Sequence, residues 1–116
     1  MDEIVRLAKD ERTARIVLAT LAEPRDTTTG ALLRRVGGVE TVRLLNVDTV
    51  TAPGLDEATV AVWRAQLNAR ANVVTVRASL KASDQITTLI PGDAAWPAGF
   101  ASLEDQAPYA LWVEGG

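Results

Sequence analysis

The sequence predicts a mainly helical α+β protein, and three observations predict it. Apolar residues recur at helical spacing in separate stripes through residue 82. After Ser83 the texture changes to short β-branched runs punctuated by proline and glycine. The aromatic residues follow the same division: Trp63 stands alone in the first part, whereas Trp96, Phe100, Tyr109 and Trp112 crowd into the last. The core of the first part must then be built from leucine, valine, isoleucine and alanine, which suits close helix packing. A chain of 116 residues is one small domain with at most a short appendage. It divides here into a helical part, 1–82, and a strand-helix-strand part, 83–116.

Each element can be justified in turn. Ala14, Val17, Leu18 and Leu21 lie at i, i+3, i+4 and i+7, one face of a helix over 11–22, and Ile4, Leu7 and Ala8 extend that face backwards. Pro24 blocks its continuation, and Arg25, Asp26, Thr27 and Thr28 form a turn with capping side chains for the next element. Leu32, Leu33 and Val36 mark a second helix that ends at Gly37 and Gly38, a C-cap signal. Val39, Val42 and Leu45 begin a third, with Glu40 in its first turn. Residues 46–54 are polar and β-branched and end in Pro53-Gly54, so they read as an exposed connector. Asp56 caps a fourth helix whose stripe is Val60, Trp63, Leu67, Ala71 and Val74. The run Asn72–Val76 is locally strand-like, but its continuation through Ala82 favours helix.

In the last part, Ile86–Ile90 reads as a strand stopped by Pro91, Gly92 and Asp93. Pro97 starts a short helix containing Phe100 and Leu103. Tyr109–Val113 is a second strand.

Composition excludes several function classes. Without histidine or cysteine there is no imidazole base, no Ser-His or Cys-His nucleophile pair and no thiolate or imidazole metal site. The adjacent acids Asp56-Glu57 and Glu104-Asp105 sit at helix ends, where caps and solvated surface account for them better than acid–base work. The chain is therefore expected to be no enzyme and to need no cofactor or metal. Met1–Arg6 lacks the apolar core of a signal peptide, and no apolar run is long enough to span a membrane; a cytoplasmic protein is expected. All twelve lysines and arginines fall within 1–82, against ten acids, while 83–116 holds five acids and no base. That is not the footprint of a strong nucleic-acid binder, so any phosphate contact must come from a local patch.

The best local patch is Leu33–Arg43. Helix, glycine turn, helix is the layout by which helix-hairpin-helix modules offer backbone amides to a phosphate, and a helix N-terminus is an anion site. Arg34, Arg35, Gly37, Gly38 and Arg43 are the candidate DNA-binding residues. Two features oppose this reading. The glycines are adjacent rather than separated by an apolar residue, and Glu40 would compete with a phosphate for the same amides. The second candidate site is aromatic. Trp96, Phe100, Tyr109 and Trp112 are better explained by core or interface packing than by base stacking, and any that remain exposed form a surface for self-association or for a partner.

The segments Ile90–Phe100, with Pro91-Gly92-Asp93 and Trp96-Pro97, and Ala107–Gly115, with Pro108 and Ala110-Leu111-Trp112-Val113, resemble the DNA-processing protein A family. Glu11–Arg15, Leu21–Pro24 and Trp63–Leu67 are similar to that family's helical N-terminal region, so the resemblance covers nearly the whole chain. It implies a SAM-like helical domain leading into the opening βαβ-like edge of a Rossmann-like domain. It also implies a role in single-stranded DNA handling, recombination and natural transformation. The family's Gly-Ser-Arg type motif and its basic DNA pocket have no counterpart in these residues, so its full activity is not carried over. The expected role is a non-catalytic accessory or interaction module. The alternative is a stand-alone regulator that engages a partner protein without binding nucleic acid.

Overall fold

In a computed structural model, residues 2–46, 55–84 and 86–113 are described. Five α-helices come first: α1 (Asp2–Leu7), α2 (Glu11–Leu21), α3 (Thr27–Leu44), α4 (Glu57–Ala69) and α5 (Val73–Ser83). Strand β1 (Thr87–Leu89), a 3-10 stretch (Ala98–Gln106) and strand β2 (Leu111–Val113) follow. The connector proposed for 46–54 lies outside the described residues except for Asn46.

The core forms around α2. Its Ala14, Val17, Leu18 and Leu21 are fully buried, as their spacing predicts, and α2 packs chiefly against α3 and α5. The face does not run continuously back to residue 4. Asp10 caps α2 by accepting from the Thr13 amide at 2.8 Å, while the Thr13 hydroxyl accepts from the Asp10 amide at 3.0 Å. This reciprocal capping box ends α1 as a separate turn of helix, although Ile4 and Ala8 still reach the same core.

Side-chain oxygens start the later helices as well. Asp26 accepts from the Thr29 amide at 3.3 Å, Asp56 from the Thr59 amide at 2.7 Å, and Asn72 from the Val74 and Thr75 amides at 2.9 and 3.2 Å. The Asn72 cap corrects the α4 stripe. Val60, Trp63 and Leu67 are buried as predicted, but the helix stops at Ala69, and Val74 belongs to α5, where it is 72% exposed. Where strand and helix competed over 72–82, helix forms. Trp63 is the largest buried side chain, and its indole N–H donates to Thr29 Oγ1 at 2.9 Å. A buried polar pair of this kind is tolerated because each group finds a partner.

The two helices expected over 32–45 are the two halves of α3, separated at the glycine doublet by a non-helical Gly37 with φ 83° and ψ 173°. Only glycine adopts that region cheaply. The strands pair with each other, antiparallel, with Thr88 opposite Trp112. The sequence leaves the pairing of these strands open; in the fold they run antiparallel, and the 3-10 stretch between them packs on α3.

The segment 87–113 docks firmly on the helices. Arg12 donates to the Thr88 carbonyl and grips Asp93 with both terminal nitrogens, at 2.8 and 3.0 Å. Arg15 donates to the Tyr109 carbonyl at 3.0 Å, and Tyr109 itself enters the helical core. Gly30 permits the closest approach: a Cβ there would overlap the Asp105 backbone carbonyl. Among the described residues no helix is long and apolar enough to cross a membrane.

Candidate functional site

The Gly37–Gly38 turn is the phosphate site that the sequence predicts. In the fold its amide already holds an anion. The Glu11 carboxylate accepts from the Gly38 N–H with both oxygens, at 2.8 and 3.0 Å, from 27 residues away. Glu11 in turn receives Arg15 Nε at 2.6 Å, and Arg15 is only 11% exposed. Gly38 eases this approach: a Cβ would sit 3.1 Å from the Glu11 carboxylate and the Ala14 methyl, so both would have to give by a few tenths of an ångström. The carboxylate thus plays the part a phosphate plays at a free helix N-terminus.

Glu40, the expected competitor, is engaged elsewhere. It pairs with Arg43 at 3.1 Å on the exposed side of the helix. Arg34 is also paired, with Asp105 of the 3-10 stretch at 2.7 Å. Of the five candidate DNA-binding residues, Arg35 alone is an exposed cation without an ion pair among the described residues. The glycines are therefore brought to one turn as predicted, but the arginines do not converge on an open amide cradle. Glu11 was missed because nothing in its local sequence distinguishes it from any first-turn acid of a helix.

The aromatic candidates divide three ways. Tyr109 is core: it is buried, and its hydroxyl donates to the Glu23 carbonyl at 2.7 Å. Burial, reinforced by the nearby Asp26 carboxylate, pushes the phenol up to about 12. Trp96 and Phe100 are half-buried and meet edge to face with ring centroids 5.4 Å apart. Trp112 is 47% exposed on β2, and Leu103 of the 3-10 stretch is exposed to the same extent.

Phe100, Leu103, Tyr109 and Trp112, but not Trp96, line a groove of about 350 Å³ between the end of α2, the 3-10 stretch and β2. Its lining is mostly apolar: Ala22 and Pro24 just after α2, Phe100 and Leu103 of the 3-10 stretch, and Tyr109 and Trp112 at the β2 end of the chain. Arg25 and Gln106 are polar members of the lining, and no acidic side chain lines it among the described residues. Aromatics together with the small residues that follow α2 make an apolar slot suited to a side chain or short segment of another molecule. Arg25 at its edge has φ 67°, and Glu104, next to Leu103, has φ 52°.

Compared with family models, curated proteins and solved structures, the chain has no significant match to any of them.

Proposed function

We propose that this chain is a non-catalytic interaction module associated with DNA processing in the cytoplasm, and that it works by docking protein rather than by gripping DNA at its glycine turn. The observation that carries the proposal is the Glu11 carboxylate seated on the Gly38 amide: the one turn laid out for a phosphate is filled from within the fold. Two of the three candidate arginines, Arg34 and Arg43, are held by carboxylates as well. The surface left open is apolar instead, in the groove flanked by Leu103 and Trp112. The association with DNA processing is supported by the resemblance of 90–115 to the DNA-processing protein A family, whose members handle single strands alongside a recombinase.

Two titrations test this reading. A fluorescent single-stranded oligothymidylate should show no saturable binding to the chain at low salt, where phosphate contacts are strongest. Titration with a full-length DNA-processing A-type protein, or with its RecA-type recombinase, should show binding that Leu103→Asp weakens at least tenfold. Salt-sensitive oligonucleotide binding that is lost in Arg34→Ala/Arg35→Ala would return the site to the glycine turn. Absence of binding to either protein would remove the docking reading.

A further inference from the structure

The groove's chemistry is more specific than apolarity alone. Among the described residues its lining holds one charged side chain, Arg25, and no carboxylate. Arg25 is exposed and makes no ion pair with any described residue. Of the neighbouring acids, Glu23 pairs with Arg70 at 2.8 Å, and Asp26 accepts from the Thr29 amide and hydroxyl. A guanidinium with no carboxylate partner among the described residues therefore stands in the lining of an apolar slot, its donors open to an incoming group.

Among the described residues, Arg25 and Glu104 are the two non-glycine residues with positive φ; Arg25 itself and Leu103, the residue before Glu104, both line this groove.

We infer that the groove takes a short apolar segment of a partner protein carrying a carboxylate beside its apolar side chains, with the carboxylate meeting Arg25. The apolar side chains enter between Leu103 and Trp112, and Arg25 offers the planar fork of donors that suits a carboxylate. This inference rests on the protein-docking reading and adds the partner's chemistry to it. Positively charged segments are disfavoured by the same guanidinium, so the charge selects as well as attracts.

The test uses three fluorescein-labelled hexapeptides with a shared leucine-phenylalanine centre, flanked by aspartates, by asparagines or by lysines. Binding to the full chain is read by anisotropy. The aspartate peptide should bind about fivefold more tightly than the asparagine peptide at low salt, the range of an exposed ion pair, and the lysine peptide more weakly than both. Arg25→Asn should erase the difference between the first two without changing affinity for the asparagine peptide. Asparagine tolerates positive φ, so this variant keeps the backbone. Leu103→Asp should abolish binding of all three.

Equal affinities for the three peptides would overturn the charge selection while leaving the groove as a docking surface. Binding of none of them, with the partner-protein titration still positive and sensitive to Leu103→Asp, would overturn the acidic-segment inference alone. Concentration-dependent dimerisation lost in Leu103→Asp, seen by sedimentation velocity, would assign the groove to a second copy and overturn it too.

Discussion

At Gly37 and Gly38 two glycines serve different physical needs. Gly37 supplies a backbone conformation with φ 83° and ψ 173°, and Gly38 leaves space for a carboxylate from another helix. The doublet was readable as a helix break, because glycine at that spacing stops a helix. Its anion was not readable, since Glu11 is linked to Gly38 only through the packing of α2 on α3. Glu11→Ala leaves an amide and Arg15 without their partner and should lower stability by about 1–2 kcal/mol in urea unfolding, whereas Glu11→Gln, which retains an acceptor oxygen, should recover part of the loss. Tyr109 gives a second residue-scale prediction. Its phenol ionises near 10 in the unfolded chain and near 12 in the fold, so its contribution is fully present below pH 10 and is lost as pH rises towards 12. Thermal melts should show this alkaline loss in the native sequence and its absence in Tyr109→Phe.

Among the elements, legibility followed the reach of local rules. The caps Asp26 and Asp56 and the buried stripe of α2 were predictable, because capping and 3.6-residue periodicity act within a few residues. The α4 stripe was carried too far, to Ala71 and Val74, because valine spacing continues across a boundary set by the Asn72 cap. The two late strands were placed correctly to within two residues, while their antiparallel pairing depends on where the intervening 3-10 stretch docks. That docking turns on Gly30, a residue with no local signature at all. Gly30→Ala would gain up to about 1 kcal/mol of helix propensity. The overlap with the Asp105 carbonyl is backbone against Cβ and should cost about 1–3 kcal/mol or expel the 3-10 stretch. The overlap wins: the variant should melt lower and expose more of the segment 98–106 to amide exchange.

For the molecule as a whole, the uneven charge distribution acquires a structural meaning. The bases of the helical part and the acids of the tail meet at their junction, through Arg12 with Asp93 and Arg34 with Asp105. Arg12, and Arg34 of the candidate DNA-contacting residues, thus pair with the tail. The Arg12 guanidinium, helped by the Ile90 amide, brings the Asp93 carboxyl down to about 2 from 3.8. Its contribution is present above pH 3.8 and is lost as pH falls towards 2, so tail docking should loosen in that window and be insensitive to it in Asp93→Asn. Tail placement in turn builds the groove, which needs α2, the 3-10 stretch and β2 together.

The central claim is that the glycine turn is closed and the groove is open, and one nitrogen–proton correlation spectrum, followed through two titrations, addresses both halves. With single-stranded oligothymidylate the Gly38 amide resonance should stay in place. With the aspartate-flanked apolar peptide the Trp112 indole and the Leu103 amide should shift and saturate together. A saturating shift of Gly38 with the oligonucleotide, and a silent Trp112 with the peptide, would contradict the account.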